Sequence, residues 1–114
     1  MKNLLVALLL ALASATPASA EVVDVKYRGP VAIDSFACET ITRSSLVTRV
    51  CYHEPTHYLI IGLKGVYYHY CDVDAGTVRA FESAESMGRF YNKSIKDSGT
   101  GGAFSCRDKV IPEF

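Results

Sequence analysis

The chain has 114 residues with 12 basic and 12 acidic side chains, and 49% of its residues are hydrophobic. That length fits one small domain, and a balanced charge lacks the cationic excess of proteins that wrap phosphate backbones. Four cysteines and no tryptophan complete the inventory.

The N-terminus reads as an export signal. Lys2 supplies a positive charge, an apolar run extends from Leu4 to Ala13, and Pro17 is followed by the small residues Ala18, Ser19 and Ala20. That order is what a signal peptidase recognises, with cleavage expected after Ala20. The ten apolar residues fall well short of the roughly 20 that cross a bilayer. No later segment is long and apolar enough to span, and no cysteine lies near the cleavage point to carry lipid. The expected organisation is a signal peptide at 1–20, an N-terminal arm at 21–43 and a domain at 44–114. The expected location is periplasmic or secreted, with no membrane span after cleavage. Removing residues 1–20 removes only Lys2, leaving 11 basic against 12 acidic residues, a net of −1.

In the arm, Val22, Val23, Val25 and Tyr27 begin an extended piece, Gly29-Pro30 breaks it, and Val31 to Phe36 form a second. A clearer unit follows. Leu46 to Tyr52 is rich in β-formers, His53-Glu54-Pro55-Thr56 is a turn, and Tyr58 to Leu63 is the next strand. Lys64-Gly65 forms a hairpin turn leading into a third strand, Val66 to Val73. The hairpin register pairs Leu63 with Val66, Ile61 with Tyr68 and Leu59 with Tyr70. Those six residues then share the core face, while Ile60, Gly62, Tyr67, His69 and Cys71 form a wetter, partly apolar surface.

Beyond Asp72 and Asp74, either of which can cap a helix, the period becomes helical. Val78, Phe81 and Ala84 form one stripe, and Met87, Phe90, Tyr91 and Ile95 form another, with Ser86 as an N-cap between them. Asp97 to Ala103 reads as a flexible Gly-rich connector, since a phosphate-binding loop would follow a strand and open a helix. Phe104 to Arg107 reads as a final short strand. The fold class is α+β: a three- to four-stranded antiparallel meander capped by one or two short helices and stapled by disulfides.

Cys38, Cys51, Cys71 and Cys106 are separated by 13, 20 and 35 residues, unlike the close pairs of zinc sites. In an exported domain they read as two disulfides. Cys51 and Cys71 sit on strands either side of the middle one, about 9 to 10 Å apart at Cα if level. A disulfide spans less than about 7 Å. They therefore either pair where the strand ends curl together, or each pairs with an arm, Cys38 or Cys106. A Cys38–Cys106 bridge would staple the two arms to each other. The favoured reading pins the arms to the sheet.

Ser44-Ser45, the turn after Tyr52, the central Tyr68-His69-Tyr70 and the closing Ser86-Met87-Gly88-Arg89-Phe90-Tyr91-Asn92 together resemble the KTSC domain, named for the C-terminus of some lysyl-tRNA synthetases. The resemblance runs over residues 44 to 107. Its hallmarks are the Tyr-x-Tyr and the Ser-x-Gly-Arg-aromatic-aromatic-Asn segment. This chain departs from it with Cys51 where Gly is usual and Glu85 where Pro is common. The resemblance implies a β-meander with a helical cap, no catalytic residues, and a suggested role in RNA binding.

Candidate binding residues are Tyr67 and His69 as an outer stacking platform, with Tyr68, Tyr70, Arg89 and Asn92 as further contacts. Tyr68 and Tyr70 also suit core positions, and Arg89 and Asn92 suit fixing the helix to the sheet. His53 and His57 flank Pro55 beside Glu54, but loop histidines are usually solvated, and no metal or other cofactor is expected. No catalytic set can be assembled, so the protein is not expected to be an enzyme. The expected function is a non-catalytic binding or interaction module of the bacterial envelope, with a protein, peptide or glycan partner. The alternative is an RNA-binding domain, against which charge and export both argue.

Overall fold

The structure is a computed structural model and describes residues 20–114. The signal-peptide reading therefore lies outside the described residues except for Ala20. Six strands form one sheet: β1 (Val22–Val25), β2 (Gly29–Ala32), β3 (Ala37–Thr40), β4 (Val47–His53), β5 (Tyr58–Leu63) and β6 (Val66–Tyr70). Three helices follow: α1 (Ala75–Ser83), α2 (Met87–Ser94) and α3 (Asp97–Thr100). No helix among the described residues is long and apolar enough to cross a membrane.

The sheet order is β2-β1-β6-β5-β4-β3. The meander β4-β5-β6 has the expected register, with Leu63 opposite Val66, Ile61 opposite Tyr68 and Leu59 opposite Tyr70. Its hairpin places both Lys64 (φ 50°) and Gly65 (φ 82°) in the left-handed region, the mirror-image turn whose twist matches paired strands. The expected strand count is too low, and the sheet is mixed rather than antiparallel. The arm adds the hairpin β1–β2, which meets β6 in parallel at Val25 and Tyr67, and β3, which pairs with β4.

One face of the sheet carries the expected core except at Val66, which lies beside the hairpin turn and is exposed. Leu59, Ile61 and Tyr70 pack with Val78 and Phe81 of α1 and with Met87 and Tyr91 of α2, and Ile95 just beyond α2 joins them. Asp74 caps α1 by accepting from Thr77 N at 3.1 Å, and Ser86 caps α2 by accepting from Arg89 N at 3.3 Å. Each cap satisfies an otherwise orphaned helix-start donor.

The opposite face is not a wet surface, which corrects the expectation. Ile60 and Tyr58 are fully buried there against Val23, Val25, Val31, Ile33 and Phe36 from the arm, with Cys51, Cys71 and Cys106. β5 is consequently buried on both sides, and its near-continuous apolar sequence Tyr58-Leu59-Ile60-Ile61 suits that position.

The disulfides are Cys38–Cys51, joining β3 to β4, and Cys71–Cys106, joining the end of β6 to the C-terminal segment. Each arm is pinned to the sheet. The segment after Cys106 then crosses the second face, held by an ion pair from Lys109 to Asp72 at 3.2 Å and by Arg28 Nη2 donating to the Pro112 carbonyl. Phe104 to Arg107 does not form the expected strand, although the Phe104 carbonyl accepts from Cys71 N at 2.8 Å. Nor is Asp97 to Ala103 simply a flexible connector. Its first four residues are the helical turn α3, and a Cβ added at Gly99 would collide with the Asn92 carbonyl oxygen of α2 and lie 2.9 Å from that of Lys93.

Candidate functional site

β6 has two unlike edges. Along one, β6 pairs with β5, and the two-residue turn at Lys64-Gly65 aims the backbone N–H and C=O of Val66, Tyr68 and Tyr70 at it. Because backbone groups alternate in direction along a strand, those of Tyr67, His69 and Cys71 point to the other edge. There the Tyr67 carbonyl accepts from Lys26 N at 2.8 Å, after which the chain turns away through Tyr27 (φ 70°). Cys71 N is taken by Phe104. Between these two bonds, the N–H and C=O of His69 have no partner among the described residues.

A cleft of about 680 Å³ opens at this gap. Its floor is Tyr68, His69 and Tyr70 of β6. One wall comes from the helical side, with Tyr91 of α2 and Lys96, Asp97 and Ser98 at and within the start of α3. The facing wall is the C-terminal segment, with Ser105, Cys106, Arg107 and Ile111. Tyr27, 85% exposed, stands at the rim.

The floor is built by side-chain pairs. Tyr70 and Tyr91 meet hydroxyl to hydroxyl, with ring centroids 5.9 Å apart and planes at 79°. Burial raises the pKa of both phenols, and for Tyr70 the hydrogen bond with Tyr91 raises it further, so both stay neutral at physiological pH. His69 Nδ1 lies 2.8 Å from the Tyr58 hydroxyl. Burial, and then the positive charge of Arg28, lowers the His69 pKa below its ordinary 6.5, which favours the neutral imidazole. Arg28 stacks over Tyr58, with Cζ 5.1 Å from the ring centroid.

The sequence-derived candidates separate cleanly. Tyr68, His69 and Tyr70 line the cleft, and Tyr67, Arg89 and Asn92 do not. Tyr67 packs against the second core and its hydroxyl accepts from Arg49 Nη1 at 3.4 Å. Arg89 and Asn92 are exposed on α2. It is Arg43 that ties the helical cap to the rest, donating to the Ala84 and Glu82 carbonyls at 2.8 Å each. His53 Nδ1 is 2.7 Å from Thr56 Oγ1, and His57 occupies a left-handed position after the 3-10 turn Glu54–Thr56.

Sequence reasoning missed Tyr27, Lys96 and Arg107 because they lie on three different connections. It placed Tyr91 in the core stripe, where it is indeed buried, without seeing that its hydroxyl reaches β6.

The family model of the KTSC domain matches residues 43–98. The crystal structure of a KTSC domain protein from Yersinia pestis is 27% identical, with a TM-score of 0.50, over 54% of this chain and 86% of that one. Among curated proteins none matches.

Proposed function

The chain belongs to the KTSC domain family through residues 43–98, and from that premise we propose that it is a non-catalytic binding module of the bacterial envelope whose ligand enters the cleft beside β6. The observation that carries this reading is the gap itself: an aromatic-floored cleft of about 680 Å³ at a break in sheet pairing. Its volume lies in the usual range for ligand sites, and aromatic floors with a few polar groups are typical of them. Export is supported by the ordered signal features of residues 1–20 and by two disulfides, which persist in oxidising compartments. A non-catalytic role is supported by the cleft's own groups. Cys106 is oxidised, Ser105 Oγ accepts from Arg107 N at 3.2 Å, and the His69 Nδ1 is engaged by Tyr58.

Photo-cross-linking tests the site. Tyr27→p-benzoylphenylalanine places a reactive group at the cleft rim, and Val22→p-benzoylphenylalanine places one on an exposed residue of β1 that does not line it. Illumination in an envelope fraction is expected to give a discrete adduct from position 27 only, lost when Tyr68→Ala is added. Equal adducts from both positions, or none from position 27, would refute the assignment. Intact mass of the native protein tests export, with a chain beginning at Glu21 expected and a retained Met1 contradicting it.

A further inference from the structure

The gap in β6 pairing has the form of a strand-addition site. We propose that the cleft takes an extended, acidic peptide segment, which pairs its main chain with the free N–H and C=O of His69; this rests on the cleft being the binding site. Three features of the edge support it. Tyr67 and Cys71 are already bonded on either side, to Lys26 and Phe104, so their neighbours on the same edge define the ends of the slot. The four steps from Tyr67 to Cys71 span roughly 13 Å at about 3.3 Å per residue, room for three or four residues of extended chain. A strand laid there supplies the one donor and one acceptor that the edge lacks, which is how peptides add to exposed sheet edges.

Side-chain chemistry sets the ligand class. Successive residues of an added strand face opposite walls. Lys96 stands on the helical wall and Arg107 on the C-terminal wall, against a single carboxylate, Asp97. With the imidazole of His69 held neutral, the lining carries a net charge of +1. The excess charge lies on the wall with Arg107, where acidic side chains are therefore favoured over basic ones, while the apolar side chains between them turn the other way to Tyr68 and Tyr91.

The test is a titration of the full disulfide-bonded protein, 15N-labelled, with acetyl-Val-Glu-Val-Glu-Val-amide, followed by the backbone amide resonance of His69. The expected result is a shift of that amide and slowed hydrogen exchange at it, with acetyl-Val-Lys-Val-Lys-Val-amide binding at least about tenfold more weakly. Two N-methylated forms of the acidic peptide, blocked at the valines or at the glutamates, sample the two edges of a strand. One is expected to lose about tenfold in affinity and the other to bind normally, because only one alternate set of N–H groups faces β6. An unmoved His69 amide, equal binding of the basic peptide, or equal behaviour of the two methylated forms would overturn the proposal. A cleft-specific cross-link at Tyr27 together with an unmoved His69 amide would leave the binding site standing and remove strand addition alone.

Discussion

Tyr70 of β6 and Tyr91 of α2 share one hydrogen bond between their hydroxyls. Both rings are buried, so removing one hydroxyl strands the other in a poorly hydrated place. Tyr70→Phe and Tyr91→Phe are each expected to cost about 1 to 2 kcal/mol, and the double variant less than the sum. Urea denaturation of the four proteins measures the coupling, and strict additivity would show that the two hydroxyls do not depend on each other.

The two disulfides differ in what they hold. Cys38–Cys51 closes 13 residues between paired strands, whereas Cys71–Cys106 closes 35 and anchors a cleft wall. Chain entropy alone gives contributions of about 3 and about 4 kcal/mol, respectively. Replacing both cysteines of the second bridge by serine is expected to be the more destabilising change, and the one that abolishes cross-linking at Tyr27. Peptide mapping under non-reducing conditions should recover these two bridges, and a Cys51–Cys71 peptide would contradict the connectivity.

Between pH 4.5 and 7, acidity acts on stability through two groups of opposite sign. The His69 pKa is lowered by burial, so below pH 6.5 the unfolded chain takes up that proton first, and stability from this group falls as pH falls. The Glu82 pKa is raised to about 7 by burial and by the neighbouring Glu39 carboxyl, so the stability from its protonated form is lost as pH rises from 4.5 towards 7. His69→Gln should therefore leave a protein whose urea midpoint declines with pH across this window, and Glu82→Gln one whose midpoint climbs. Two curves parallel to the unmodified protein would show that neither group is perturbed.

Gly99 is where α3 presses on the backbone of α2. Gly99→Ala forces Asn92 and Lys93 to move and is expected to cost about 1 to 3 kcal/mol. Gly88, inside the family-like segment, makes a useful contrast: a Cβ there would meet Leu46 at 3.8 Å, an ordinary contact. Thermal melts of the two alanine variants should separate them by several degrees, Gly99→Ala being the lower.

Much of the meander was legible because its register is local. A two-residue turn at Lys64-Gly65 fixes which residue faces which, and the apolar alternation of Leu59, Ile61 and Leu63 marks a core face. The second face was misread although the signal was present. Tyr58 and Ile60 are as apolar as their neighbours, and a strand apolar on both faces needs two covers. What the sequence hid was the identity of the second cover, since β1, β2 and the C-terminal segment reach it through non-local pairing. Tyr68, His69 and Tyr70 stood out as an aromatic triplet in a strand. The cleft did not, because it is a missing stretch of pairing between Lys26 and Phe104, and a gap leaves no residue pattern.

Binding to nucleic acid is expected to be weak. Residues 21–114 carry 11 basic against 12 acidic side chains, and the cleft itself holds only Lys96 and Arg107 as cations. Titration against single-stranded RNA and DNA at physiological salt is expected to give Kd values weaker than about 10⁻⁵ M. Sub-micromolar affinity with a steep salt slope would reverse the ranking of ligand classes.

Hydroxyl-radical footprinting, read residue by residue by mass spectrometry with and without an envelope extract, tests the cleft most directly because it needs no substitution. If the β6 edge is the binding site, protection falls on Tyr27, Tyr68 and Ile111, while Val22, Val66 and Val110, which are exposed and do not line the cleft, oxidise at unchanged rates. Protection of Val22 or Val66 with Tyr27 and Tyr68 left unprotected would place the ligand elsewhere and contradict the account.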